Sequence, residues 1–336
     1  MKSLVSLLSP TYNGAAYIRA FLDSVCEQSY PNIELIIVDD GSTDTTAKII
    51  EEYRAKFESR NFSLVYAYQE NRGQAAAINF AFEKMSAQAE YFMWVDSDDI
   101  LFKDNVSHKV KFLEQHSEYD FCLCNVVSTE YESKILTWKK AFSQGSLFEN
   151  FLFANNIIAG FGQGTVLVRK ALLEKAIPSG KIYESRQGQN WQLMLPFTYC
   201  GKAGHLDEVL FKYVIHNDSH SHTKRNFAEQ IKRFDEFEIL ISETLRNIPT
   251  MPDSERDYYI GKIHEKYLKE KLNFSYAMRH FDFIKTVKAE MQKENFSVPL
   301  YLSNYVFYSV YKVISRIFHI PFGLLCRIKA KLRGAK

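Results

Sequence analysis

Three carboxylates fall within four residues at Asp96-Ser97-Asp98-Asp99. Placed together at the mouth of a sheet they repel one another, and a bound hard cation is the simplest offset. Three further polar runs carry groups that could act with them. Ser9-Pro10-Thr11-Tyr12-Asn13-Gly14 supplies an aromatic ring, Asp39-Asp40-Gly41-Ser42-Thr43-Asp44 supplies carboxylates, and Gln69-Glu70-Asn71-Arg72-Gly73-Gln74 supplies a guanidinium. Each has a plainer reading: a turn and helix cap at Asp39–Ser42, an exposed loop cation at Arg72, a core ring at Tyr12. Together they suit a sugar carried on a nucleoside diphosphate. An oxygen-bound divalent ion would bridge the two phosphates. Arg72 would add fixed positive charge beside the leaving group. Tyr12 would lie against the base, and Asp39 or Asp40 would accept hydrogen bonds from base or ribose.

The four runs matter because each follows a predicted strand. Short apolar runs at about Leu4–Leu8, Glu34–Val38, Leu64–Tyr68 and Tyr91–Val95 alternate with helical patterns. The helices are expected over Ala15–Gln28, from a cap at Ser42 or Asp44 to about Ser59, and after Gly73. Phe121–Val127 reads as a fifth strand. This is the signature of a parallel sheet with crossover helices, whose ligands bind outside the carboxyl ends of the strands. Residues from about 130 to 225 lose the regularity and suit an acceptor-side subdomain. From about Phe227 the pattern is helical and charged, as in Phe227–Leu245 and Asp257–Leu272. The expected division is a nucleotide-binding and catalytic domain over 1–225 and a helical region over 226–336.

A chain of 336 residues holds one α/β domain and a smaller appendage. The net charge of +2 gives no argument for nucleic acid. The five cysteines are odd in number and scattered, as expected where thiols stay reduced. Cys122 and Cys124 share one strand face, and packing accounts for them better than zinc, which lacks further ligands nearby. The apolar N-terminus is too short for a signal peptide and reads as a buried strand, so a cytoplasmic location is expected. The first turn lacks the Gly-x-Gly-x-x-Gly cradle of a nicotinamide enzyme, and no Walker-type loop occurs. A nucleotidyltransferase would want a Gly- and Lys-rich triphosphate loop after the first strand, which is also missing.

Pro10-Thr11-Tyr12-Asn13, Leu22-Asp23-Ser24-Val25 with Gln28-Ser29-Tyr30-Pro31, Val38–Asp44, Asn71-Arg72-Gly73 and Asp96–Asp99 stand in order over the first hundred residues. In these stretches the chain resembles the family-2 glycosyltransferases. The resemblance implies an α/β fold of GT-A type, a doubly wound, mostly parallel, Rossmann-like sheet, here with a C-terminal helical extension. It implies an inverting transferase using Mn²⁺ or Mg²⁺, with a UDP-sugar as the expected donor. It further implies that Pro10, Tyr12, Asp39, Asp40 and Arg72 bind the nucleotide, that Asp96 lies near the ribose, and that Asp98 holds the metal.

Gly160-Phe161-Gly162-Gln163-Gly164-Thr165 resembles the family's glycine-containing acceptor stretch, which nominates Gly162 and Gln163. His216 falls where many members carry a Tyr-Arg-x-His segment near the diphosphate, which makes it a second candidate metal ligand. Members usually carry a Glu-Asp pair before a Trp as the source of the catalytic base. Here Gln189 and Asn190 precede Trp191. Amides position a hydroxyl but cannot take its proton, so Asn190 and Trp191 are expected on the acceptor side. Glu184, the nearest carboxylate, is the expected base. If no base exists, the alternative is a nucleotide-sugar-binding scaffold without transfer.

The tail from Tyr301 to Lys336 interleaves aromatic residues with Lys312 and Arg316 and ends in a basic run without acids. The interruptions argue against a spanning helix. They fit a helix lying on an anionic membrane surface, on the inner face of the plasma membrane. A saccharide acceptor, lipid-linked, in surface polysaccharide or oligosaccharide synthesis would suit that location.

Overall fold

The structure, a computed structural model, describes residues 2–129, 131–155, 163–215 and 225–298. The chain forms two compact units. One comprises residues up to 225 with 235–263, and the other 226–234 with the residues from 264 onward.

Among the described residues the first unit is built on nine strands, in the spatial order 63–68, 33–39, 4–11, 89–94, 166–169, 121–128, 203–213, 100–101, with 131–136 beside 121–128. The first four are β1 (Leu4–Thr11), β2 (Ile33–Asp39), β3 (Ser63–Tyr68) and β4 (Ala89–Trp94). They run parallel to their neighbours. Every residue of β2 is buried, as expected when both faces of a parallel sheet are covered, and its one internal charge, Glu34, accepts the Ser6 hydroxyl and the N–H of Ser86 at 3.0 Å. Helix α1 (Ile18–Cys26) turns Ile18, Phe21, Leu22 and Val25 inward at helical spacing.

The helix expected to run on to Ser59 is two, α2 (Thr46–Glu52) and α3 (Arg54–Ser59). The break falls at Tyr53, whose N–H tightens to the carbonyl of Ile50 at 3.1 Å and whose hydroxyl donates to Asp23 Oδ1 at 2.9 Å. Neither candidate is the cap residue, which is Thr45; Asp44 stands just before it and accepts the N–H of Thr46 at 2.9 Å. Ser42 Oγ is taken instead by the N–H of Asn13. Helix α4 (Gln74–Lys84) follows β3 and packs its alanines against the sheet.

The stretch that looked irregular contains more order than its sequence pattern shows. After β5 (Ile100–Leu101) and α5 (Asn105–Gln115) come β6 (Phe121–Ser128), β7 (Tyr131–Leu136), α6 (Lys139–Ser143) and α7 (Leu147–Leu152). A 3₁₀ turn at Gln163–Thr165 leads into β8 (Val166–Arg169) and α8 (Lys170–Ala176), then α9 (Asn190–Cys200) and β9 (Ala203–Tyr213). Strand β8 enters antiparallel between β4 and β6, and β9 pairs parallel with β6. The sheet is thus parallel at one side and mixed at the other. Cys122 and Cys124 are fully buried in β6 as packed, free thiols. Burial pushes the Cys122 thiol up to about 12.

The second unit includes the start of α10 (Phe227–Arg246), the later part of α11 (Asp253–Met278) and α12 (Phe281–Lys293). Leu268, Leu272, Ile284, Val287 and Met291 form its core. Among the described residues no helix is long and apolar enough to cross a membrane. The tail expected to lie on a membrane falls outside the described residues.

Candidate active site

Parallel register sets one rim. Thr11 at the end of β1 lies beside Asp39 at the end of β2, and Asp39 beside Tyr68 at the end of β3. On the other side of β1, Leu8 pairs with Trp94 and accepts the N–H of Val95 at 2.9 Å, so Asp96 leaves the sheet next to Thr11. Ser97 Oγ then donates to Thr11 Oγ1 at 2.9 Å. The polar runs after the first, second and fourth strands therefore converge, and the loop after β3 joins them through Asp40.

The carboxylates of Asp96, Asp98 and Asp99 each offer an oxygen, all within 4.8 Å of one another. Asp99 is fully buried: Oδ1 accepts the N–H of Val214 at 2.8 Å, and Oδ2 is sealed from solvent with no partner among the described residues. Asp96 is clasped by two amides, Gln163 Nε2 to Oδ2 at 2.5 Å and Gln189 Nε2 to Oδ1 at 3.3 Å. Burial first, and the charge of Asp98 second, push Asp96 up to about 8. Burial first, then the charges of Asp96 and Asp98, raise Asp99 well above the carboxylate range. Three converging carboxylates, one with an orphaned buried oxygen, fit a hard divalent ion.

Asp39 and Asp40 are almost wholly buried. Asp39 accepts the N–H of Ser42 at 2.7 Å and the hydroxyl of Tyr66 at 3.0 Å. Asp40 accepts from Gln69 Nε2 at 2.7 Å and from the N–H groups of Arg72 and Gly73, both at 2.8 Å. Their carboxylates thus hold the rim loops in place. Gly41 is at φ +84°, and a Cβ there would meet the Asn71 nitrogen at 2.9 Å, so only glycine fits between the two loops. Pro10 is buried in β1, whereas Tyr12 is 51% exposed, which removes the core-ring reading and leaves its face open at the rim.

Arg72 extends over the surface and pairs with Glu184 at 2.8 Å. Arg186 returns the contact, donating to Asn71 Oδ1 at 2.8 Å and to its carbonyl at 3.1 Å. The run Glu184–Gln189 therefore bridges the rim from Arg72 to Asp96. Asn190 Oδ1 accepts from Trp94 Nε1 at 3.1 Å. Trp191 Nε1 donates to the Phe151 carbonyl at 3.0 Å, with its ring edge-on to Phe237. Gly162 and His216 lie outside the described residues. Sequence reasoning did not find that Gln163 and Gln189 flank Asp96, since the pairs are 67 and 93 residues apart. Nor did it separate Asp99, the most deeply buried of the three carboxylates, from its neighbours.

The model of the family described as glycosyl transferase family 2 matches residues 6–177. The chain belongs to this family. Relatives agree with the assignment. An uncharacterized glycosyltransferase of Rickettsia typhi is 29% identical over 229 residues, 68% of this chain and 69% of that one. The putative teichuronic acid biosynthesis glycosyltransferase TuaG of Bacillus subtilis is 42% identical over 116 residues, 34% of this chain and 44% of its own length. Among solved structures, S. aureus TarS 1-349 in complex with UDP-GlcNAc superposes with a TM-score of 0.62 at 18% identity, over 85% of this chain and 79% of that chain. That likeness supports a GT-A-type fold. The family-2 match takes in the rim loops, the acidic triad, Gln163 and β8; Glu184 and the amide run lie beyond it.

Proposed function

We propose that this glycosyltransferase is metal-dependent and inverting, and moves a sugar from a UDP-sugar to a saccharide hydroxyl. The observation that carries the reading is the triad Asp96, Asp98 and Asp99, with the orphaned Asp99 oxygen at its base. Asp98, with Asp96 and Asp99 beside it, holds Mn²⁺ or Mg²⁺, and His216 is a further candidate ligand. The ion's contribution is to offset the charge of the departing diphosphate. Tyr12 presents its exposed ring to the nucleobase, between loops that Pro10, Asp39 and Asp40 keep in register. Arg72 binds the nucleotide once it leaves Glu184, and Glu184 so released is the group we assign to take the acceptor's proton. Gln163 and Gln189 hold the Asp96 carboxylate, while Gly162, Asn190 and Trp191 belong to the acceptor side. The catalytic domain we assign to 1–225.

The relation to a teichuronic acid glycosyltransferase supports a role in surface polysaccharide synthesis. A lipid-linked acceptor and contact with the inner membrane face through the basic tail complete the proposal. A nucleotide-sugar-binding scaffold is the competing reading, favoured by the amides Gln189 and Asn190 where family members carry an acidic pair. UDP-, GDP- and dTDP-sugars incubated with Mn²⁺ or with EDTA test the proposal. Slow, EDTA-sensitive nucleotide release from a UDP-sugar is the expected result. Release that ignores EDTA would remove the metal from the mechanism.

A further inference from the structure

Lys109 carries an amine that the proposed chemistry does not use, and it has no exposure to solvent. It sits on α5, four residues after Asn105, and burial lowers its affinity for a proton. Its Nζ donates to Asn105 Oδ1 at 2.9 Å and to the carbonyl of Gly164 at 2.6 Å. Asn105 Nδ2 reaches the same carbonyl at 3.3 Å and the Leu210 carbonyl at 2.6 Å. From the other side the Phe211 ring presses on Gly164 so closely that a Cβ would lie 2.2 Å from it. The 3₁₀ turn Gln163–Thr165 is therefore gripped between an amine and a ring. The residue it carries at its start, Gln163, is buried and bonds Asp96.

We propose that Lys109 is a positioning residue for the ion site, acting through Gly164 and Gln163 on the Asp96 carboxylate. An enclosed ammonium costs several kcal/mol of lost hydration. A merely apolar core needs no such group at this place. What the amine supplies is a second directed bond, beside that of Asn105, to the Gly164 carbonyl, and so a fixed origin for the Gln163 side chain. With Gln163 fixed, Asp96 faces Asp98 and Asp99 in one orientation before any ligand arrives, which is preorganisation of the ligand set. The inference rests on the reading of the triad as an ion site.

The test is a double-mutant cycle read by Mn²⁺ binding to the full chain. Lys109→Met and Gln163→Ala should each weaken Mn²⁺ by about fivefold, the equivalent of roughly one hydrogen bond. The double variant should be no weaker than either single. Effects that multiply would overturn the relay, since a general loss of stability and a lost amide contact would then be independent. If Lys109→Met does not fold, Gln163→Ala decides alone: unchanged Mn²⁺ affinity overturns the proposal. If the wild-type chain binds no Mn²⁺, the ion-site reading has failed, and backbone amide exchange at residues 163–165 judges the relay separately. Lys109→Met should speed it by about tenfold there while α1 and β2 keep their protection. Unchanged local exchange would overturn it.

Discussion

Raising the pH from 5 to 8 should destabilise the metal-free protein and leave the metal-loaded protein far less affected. Asp96 has its folded-state value raised from 3.8 to about 8, by burial and by Asp98. Over this window it holds a proton in the folded chain and has lost it in the unfolded chain. Its contribution is therefore fully present below 3.8 and is lost as the pH rises through about 8. One extra bound proton across three pH units amounts to about 4 kcal/mol at roughly 1.4 kcal/mol per unit. On a domain of this size that is a fall in Tm of about 8–16 °C. Asp99, raised by the same causes, acts in the same direction. Thermal unfolding at stepped pH, with EDTA or with Mn²⁺, measures the effect, and Asp96→Asn isolates the share of this carboxyl. A Tm that changes equally with pH in wild type and Asp96→Asn would refute the reasoning, because the carboxyl would then carry none of the linkage.

Two substitutions extend the account to the loops. Asp40→Ala removes the acceptor for Gln69 and for two backbone N–H groups. It should cost about 2–4 kcal/mol in urea unfolding, with a further loss of donor affinity as Arg72 moves. Glu184→Gln should lower transfer by at least about 100-fold while nucleotide-sugar binding persists. A decrease of only a few-fold would reduce Glu184 to a partner of Arg72 and favour the scaffold reading.

Much of the parallel half of the sheet and its rim was legible because its signals are local. Apolar runs such as Leu35–Val38 are continuous, each ends in polar residues, and parallel pairing then obliges those ends to meet. The far half hid its order for equally physical reasons. Strand β8 has only four residues, and α9 contains Pro196 and is buried over most of its surface, so neither shows a clean period. Strand β9 carries His205, Asp207 and Glu208 in a run that alternation alone does not mark as a strand. The partners of Asp96 could not be read at all, since Gln163 and Gln189 reach it only through the folded sheet. Asp39 and Asp40 show the converse: their motif was plain, but that their oxygens are taken up by Ser42, Tyr66 and the 69–73 loop became visible only in three dimensions.

The central claim is that the acidic triad holds the ion on which transfer depends, and Asp98→Ala tests it most directly. Nucleotide release from the preferred UDP-sugar would be compared for wild type and Asp98→Ala in Mn²⁺, beside their unfolding curves. The account predicts that turnover falls to the level of wild type in EDTA, while the unfolding midpoint without metal is retained or raised, since one of three mutually repelling carboxylates is gone, and Mn²⁺ no longer raises it as it does in wild type. Turnover in Asp98→Ala equal to wild type would contradict it.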